Sequence, residues 1–401
     1  MNILFVSDVS VSEIVGGAER VLFEQSSRLR KRGHSVHILT RRLASHNSTR
    51  DVIEGVQEWR YAVDQKNGLS FIRSTLQNCK ELFETIYNQY SFDCINFHQP
   101  FSASAVIRSP MSKKAKKIYT CHSLSFEEFQ SRNPRPKGSI KVLPYAFNIQ
   151  VRKIIERKVL HASDKIVVLS QFTKDKLLRS QKVAPQKIVL IPGGVDLKKF
   201  YPARDKLGIR ERLDIPPEKI ILFTVRNLVS RMGLENLIYA LRRAVERVPE
   251  IYLVLGGDGP LKNSLISLTQ ELHVRDHIKF VGFIPETELP TYHRMADMFI
   301  LPTRELEGFG LVTLEALASG VPVLGTPVGG TMEILGKLDP HYLFHDTAPE
   351  AMAELIIETC RLLQNNPRQW KEASSQCRLF VEKNYSWDKN IHSLEELFEK
   401  G

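Results

Sequence analysis

The chain has 401 residues, 42% of them apolar and 25% charged, with a net charge of +11. This is ordinary soluble-protein composition, and the length suits two cores rather than one. The five cysteines are odd in number and scattered, with no Cys-x-x-Cys pair, which argues against a disulfide framework or a zinc site and for a reducing compartment.

MNILFVSDVS turns polar too soon for a signal peptide. No apolar run approaches the roughly 20 residues that span a bilayer. A cytoplasmic protein is expected. The charge is uneven. Residues 1–200 hold 33 Lys+Arg against 17 Asp+Glu, a balance of +16, and the remainder holds 23 against 28, a balance of −5. Such asymmetry points to an anionic partner for the first half: a membrane surface, a phosphorylated acceptor or nucleic acid. Nucleic acid is disfavoured, because no recognised nucleic-acid module surrounds the basic clusters.

In chain order, the first half predicts strands at 2–7, 35–40, 93–97, 117–121, 165–170 and 187–192. Residues 17–32 place Ala18, Leu22 and Leu29 on one helical face and stop at Gly33, a βαβ pattern with a glycine cap. SRNPRPKGSIK (131–141) is polar, basic and broken by prolines, and reads as an exposed loop. The hydroxyls of Ser170 and Thr173 suit helix caps better than ligands. IPGGVDLKKFYP (191–202) follows a strand with paired glycines and two prolines, and marks a domain boundary.

The second half predicts strands at 219–225, 251–257, 277–282, 298–303 and 321–326. Nearly continuous apolar strands alternating with helices mean a parallel sheet covered on both faces. Two such series predict an α/β chain of two doubly wound, Rossmann-like domains, with ligands at the carboxyl ends of the strands, in a cleft.

The most specific stretch is ELEGFGLVTLEALASGVPVLGTPVGG (305–330). Gly308 and Gly310 let the backbone approach a ligand. A helix starting near Leu311 offers amides and a positive dipole end to an anion. Glu307 precedes that helix and Glu315 lies a turn inside it. A carboxylate there suits sugar hydroxyls, which donate hydrogen bonds, better than phosphate. Glu315 is the candidate for a ribose diol and Glu307 for a transferred sugar. No G-x-G-x-x-G opens a helix in either half, so a dinucleotide reader is disfavoured. No metal-ligand spacing is found.

With Glu307 and Glu315 seven residues apart and Gly308-Phe309-Gly310 between them, the chain resembles the retaining glycosyltransferases of family 4, whose fold is called GT-B. GGAERVLFEQSSRLRKRGHSVHILT (16–40), GGDGPL (256–261) and VGFIP (281–285) fall in the family's order and spacing. The resemblance implies transfer of a sugar from a nucleotide-diphosphate sugar to a hydroxyl acceptor with retention, by front-side attack beside the leaving diphosphate. It implies residues 1–192, with a crossing helix at 385–401, as the acceptor domain and 193–384 as the donor domain. It implies no catalytic metal and no cofactor beyond the nucleotide-sugar substrate. Gly16 and Gly17 would form a tight loop near the donor phosphate, although they also suit a plain strand-to-helix turn. His122 would hydrogen-bond the donor sugar, although a lone histidine is also often structural. The usual family clamp of Gly-Arg followed by Lys-Gly reads VRNLVSRMG here (225–233), with Asn227 and Met232 where arginine and lysine are usual. Arg231, then Arg226, are the candidates to hold the diphosphate from a shifted register, with Phe309–Leu311 amides beside them. The alternatives are solvated loop arginines, a nucleotide-sugar epimerase or α-glucan synthase of the same fold, and a catalytically weak partner subunit.

Overall fold

The computed structural model describes residues 1–12, 16–133, 135–136 and 139–400. The chain divides into two compact units, Met1–Pro192 with Trp387–Gly401, and Gly193–Ser386.

The first unit carries an eight-stranded sheet: β1 (Asn2–Val6), β2 (Ser35–Arg41), β3 (Arg50–Ile53), β4 (Val56–Tyr61), β5 (Cys94–Phe97), β6 (Lys116–Cys121), β7 (Lys165–Val168) and β8 (Ile188–Leu190). Their order is β3-β4-β2-β1-β5-β6-β7-β8, and every neighbour pair is parallel except β3 with β4. Alternate residues of β1 serve opposite faces. Leu4 and Val6 enter one buried cluster, Ile3 and Phe5 the other. That two-sided burial is why the strand reads as an unbroken apolar run. The C-terminal helix Trp387–Lys400 adds Ile391, Leu394 and Phe398 to the second cluster, and Asn390 donates to the Pro192 carbonyl at 2.6 Å.

The second unit carries β9 (Ile220–Val225), β10 (Ile251–Gly256), β11 (Ile278–Gly282), β12 (Met298–Leu301) and β13 (Val323–Gly325), all parallel, in the order β11-β10-β9-β12-β13. Both sheets therefore start in the middle and wind outward in two directions, which leaves a crevice at the strand ends beside β1 and beside β9.

Two expectations need correction. The β3–β4 hairpin was not foreseen as strand. Its two-residue turn is Glu54-Gly55, both at positive φ (49° and 78°), as a type I′ turn requires. The segment 131–141 is not one loop. Helix Ser125–Arg132 covers its start and helix Ser139–Ala162 its end, while residues 134, 137 and 138 lie outside the described residues.

Glu156, fully buried in that second helix, ties it to the chain that follows β6. Its Oε1 accepts from the Ser125 amide at 3.0 Å, and Oε2 lies 3.2 Å from the Gln181 amide nitrogen. Burial pushes its carboxyl up to about 8. A neutral carboxyl also suits Gln181, whose own Oε1 is buried with no partner among the described residues. Turning that amide by 180° gives the protonated Glu156 an acceptor. The raised value means the folded chain holds a proton that the unfolded chain releases near the ordinary glutamate range. This contribution is complete at acid pH and fades as pH rises to about 8, with a slope of at most ~1.4 kcal/mol per pH unit. Glu156→Gln keeps the geometry without the proton. Urea midpoints of the variant should fall less than those of the wild type between pH 5 and 8. Parallel pH profiles would show that Glu156 is ionised in the folded chain.

Candidate functional site

In the second unit the site is built by loops leaving the carboxyl ends of β9, β10 and β12. They pack backbone against backbone, and glycine makes this possible. A Cβ at Gly233 (φ 70°) would lie 1.9 Å from the Pro302 carbonyl oxygen, and one at Gly257 (φ 117°) 1.8 Å from that of Arg226. Helix Leu311–Ala318 begins where expected, with Gly310 as its cap at φ 91°. Gly329 and Gly330 complete the cradle: the Gly330 amide donates to the Glu307 carbonyl at 2.9 Å, and a Cβ there would meet Phe309 Cα at 2.5 Å.

Arg226 and Glu307 meet inside this cradle. The guanidinium Nη2 donates to Glu307 Oε2 at 2.5 Å, and the two side chains are 8% and 12% exposed. Thr303 Oγ1 lies 3.3 Å from the same Nη2 and donates to the same carboxylate oxygen at 3.2 Å. Met232 sulfur lies 2.9 Å from Nη2. Position 232 therefore faces a buried cation, and a neutral sulfur fits there where an ammonium would not.

Arg231 serves a different turn. Its Nη1 donates to the Leu306 carbonyl at 3.2 Å, and its own carbonyl accepts from the Arg304 amide at 2.8 Å. Leu306 is left-handed (φ 59°), a conformation that costs a leucine ~1–2 kcal/mol. Arg231 thus braces the strained turn that presents Glu307.

Phe309 is 8% exposed, with its ring 6.1 Å from that of Tyr385 and close against Gly193. Its side chain anchors the loop, whose backbone runs on through Gly310 into the helix start at Leu311. Glu315 is buried in the next turn, its Oε2 3.7 Å from His293 Nε2. The position a Cβ would take at Gly310 lies 3.2 Å from both Thr313 Oγ1 and Thr331 Oγ1. Both hydroxyls are buried with no hydrogen-bond partner among the described residues. Buried polar groups are rarely left so, and two at one helix start mark a place for an acceptor-rich ligand or water.

In the first unit the carboxyl ends of β1, β5 and β6 are followed by Asp8, His98 and His122. His122 Nε2 is 3.0 Å from His98 Nδ1. Burial lowers His122 to about 4 and His98 well below the usual histidine range, so both rings are neutral at pH 7. Among the described residues His98 Nε2 is buried with no hydrogen-bond partner. Donation from His98 Nδ1–H leaves only a lone pair there, the cheaper group to bury. That tautomer makes His122 Nδ1 a hydrogen-bond donor. Asp8 accepts from the Ser102 amide at 3.1 Å, and burial raises its carboxyl.

Gly16 and Gly17 open helix Gly17–Lys31, but Gly16 is extended (φ −149°), a conformation open to any residue. The preceding residues 13–15 of the expected tight loop lie outside the described residues. The structure thus brings together Arg226, Arg231, Glu307 and Gly308–Leu311, with Glu315 in the same helix. It assigns His122, Gly16 and Gly17 to the other unit. Sequence reasoning missed Thr303, Thr313, Thr331, His98 and Asp8. Each of the last two directly follows or nearly follows a predicted strand, the one signal that could have found them.

Met232→Lys places a second cation against the Arg226 guanidinium. It should destabilise the second unit by about 2–4 kcal/mol, the scale of an uncompensated buried charge. Met232→Leu, similar in volume, should cost under ~1.5 kcal/mol. Chemical denaturation checks both, and equal midpoints for Lys and Leu would mean that Arg226 does not face this position.

Residues 15–199 match the model described as Glycosyltransferase Family 4, and residues 205–376 match Glycosyl transferases group 1. A GDP-mannose-dependent alpha-(1-6)-phosphatidylinositol monomannoside mannosyltransferase of Mycobacterium tuberculosis is 31% identical over 56% of this chain, a match that spans 61% of that protein's length. A mannosylfructose-phosphate synthase of Agrobacterium fabrum is 26% identical over 82% of this chain and 75% of its own. Among solved structures, sucrose-phosphate synthase from Thermosynechococcus elongatus has a TM-score of 0.82 at 22% identity, covering 100% of this chain and 99% of that one. Two family models in tandem over two doubly wound units leave one conclusion: the chain belongs to the group 1 glycosyltransferases of family 4, with the GT-B fold.

Proposed function

We propose that the chain is a retaining glycosyltransferase that moves a sugar from a nucleotide-diphosphate sugar to a hydroxyl acceptor. The observation that carries this is the start of helix Leu311–Ala318. A left-handed glycine, the positive end of a helix and two unpartnered buried hydroxyls meet there, a few residues from two carboxylates. Phosphate oxygens suit the amides and hydroxyls. Sugar and ribose hydroxyls suit Glu307 and Glu315. The leaving diphosphate needs positive compensation. Arg226 is engaged by Glu307 and Arg231 by the Leu306 carbonyl, and these two cations with the helix amides are the groups that would compensate the charge.

In this reading His122, neutral and oriented by His98, donates to a sugar oxygen. No protein nucleophile is required. The acceptor hydroxyl attacks on the face the diphosphate leaves, and a diphosphate oxygen takes its proton. No metal has a role in it. The acceptor side belongs to the first unit, whose positive charge suits a phosphorylated or membrane-borne acceptor. Two relatives support that choice, one named for action on a phosphatidylinositol monomannoside and one for making a sugar phosphate.

A thermal-shift panel of UDP, GDP, ADP and TDP tests the donor reading, since a ligand at 100 times its Kd stabilises by ~2.7 kcal/mol. One diphosphate should raise Tm, and Glu315→Ala should weaken its binding by on the order of 1.5–3 kcal/mol. Unchanged affinity in calorimetry, with the fold intact, would remove Glu315 from the site. The product of turnover should keep the donor's anomeric configuration. An inverted or epimerised product would overturn the retaining assignment.

A further inference from the structure

Helix Ser139–Ala162 leaves an apolar stripe uncovered. Of the twelve large apolar side chains exposed among the described residues, the two most exposed are Leu143 (75%) and Phe147 (72%), and Ile154 (53%) shares their helix. Spacings of four and seven residues put all three on one face. One turn further along that face come Arg157 and Lys158, both exposed. The helix's one carboxylate, Glu156, is buried on the other side. The stripe therefore carries Leu143, Phe147 and Ile154 over about three turns, interrupted by the exposed Gln150, and ends in two cations, with no exposed acid on the helix to offset them.

The opposite side of the helix is firmly held. Val159 and Leu160 are fully buried, and Arg152 lies over the rings of Phe101 and Phe129, 5.0 and 4.7 Å from their centroids. Single exposed apolar residues need no explanation, but a stripe along one face of a helix does.

We propose that this face docks on an anionic lipid bilayer. Leu143, Phe147 and Ile154 would enter the boundary between headgroups and acyl chains, with Arg157 and Lys158 among the lipid phosphates. Charge selects this occupant. Arg157 and Lys158 stand at the end of the apolar face where lipid phosphates would lie, and the helix offers no exposed carboxylate to a basic partner. The inference rests on the reading that the first unit receives a phosphorylated or membrane-borne acceptor, and it names the surface that does so.

The test is flotation of the full chain with vesicles of phosphatidylcholine alone, or with about one-third phosphatidylglycerol, at low and high salt. The wild type should float only with the anionic vesicles and should do so less at high salt. Leu143→Ser with Phe147→Ser, and separately Arg157→Gln with Lys158→Gln, should each lower the bound fraction at least about tenfold. Nucleotide-diphosphate affinity should stay unchanged in both. Absence of the wild type from the anionic vesicle fraction, or wild-type flotation of either double variant, would overturn the proposal. A concentration-dependent dimer lost in the Leu143/Phe147 variant, without flotation, would assign the face to a second copy and overturn it as well. Flotation of the wild type on anionic vesicles, with no nucleotide diphosphate bound by that same wild type, would instead count against the donor reading alone.

Discussion

The ion pair between Arg226 and Glu307 is the constraint on which the second unit's site depends. Both side chains are nearly buried, and a charge in such a place is stable only when paired and hydrogen-bonded. Thr303 supplies a further hydrogen bond, and Met232 lines the remaining side without adding charge. The carboxylate that would meet a transferred sugar is thereby fixed before any ligand arrives. Fixed orientation of this kind is what transfer chemistry draws on when no protein nucleophile takes part.

Around the pair, the backbone is brought closer than side chains allow. Gly233, Gly257, Gly329 and Gly330 each sit where a Cβ would collide with a neighbouring main chain. Leu306 accepts a left-handed conformation with Arg231 bracing its carbonyl. The effect is a shallow floor of amides and hydroxyls under the helix start. In the first unit burial does the corresponding work electrostatically, holding His98 and His122 neutral so that one ring orients the other. The two units thus hold their polar side chains by opposite means: a compensated charge in one and suppressed charges in the other.

Much of this was legible in the sequence, for identifiable reasons. Parallel strands buried on both faces, such as Ile3–Val6 or Phe299–Leu301, read as plain apolar runs. The Glu307–Glu315 spacing and the Gly-Phe-Gly turn are local, so they survive reading in one dimension. The β4 strand escaped because its buried positions include Glu58 and Arg60, which satisfy each other at 2.7 Å. A buried ion pair looks like surface in sequence. The partner of Arg226 escaped for a related reason. Its charge suggested a phosphate ligand, whereas its partner lies 81 residues away in a loop from another strand. Thr313 and Thr331 carry no signal at all, since a threonine hydroxyl becomes informative only when burial removes its alternatives.

The most direct measurement is a double-mutant cycle on Arg226 and Glu307, with Arg226→Leu, Glu307→Gln and the pair of substitutions followed by urea unfolding. Residues in one buried network couple by about 0.5–3 kcal/mol, and a nearly dehydrated charge pair belongs at the upper end. Each single substitution should therefore destabilise the second unit, and the double should cost markedly less than their sum. Additivity within ~0.5 kcal/mol, with the fold retained, would mean that the two charges do not meet in solution and that Glu307 is held by something else.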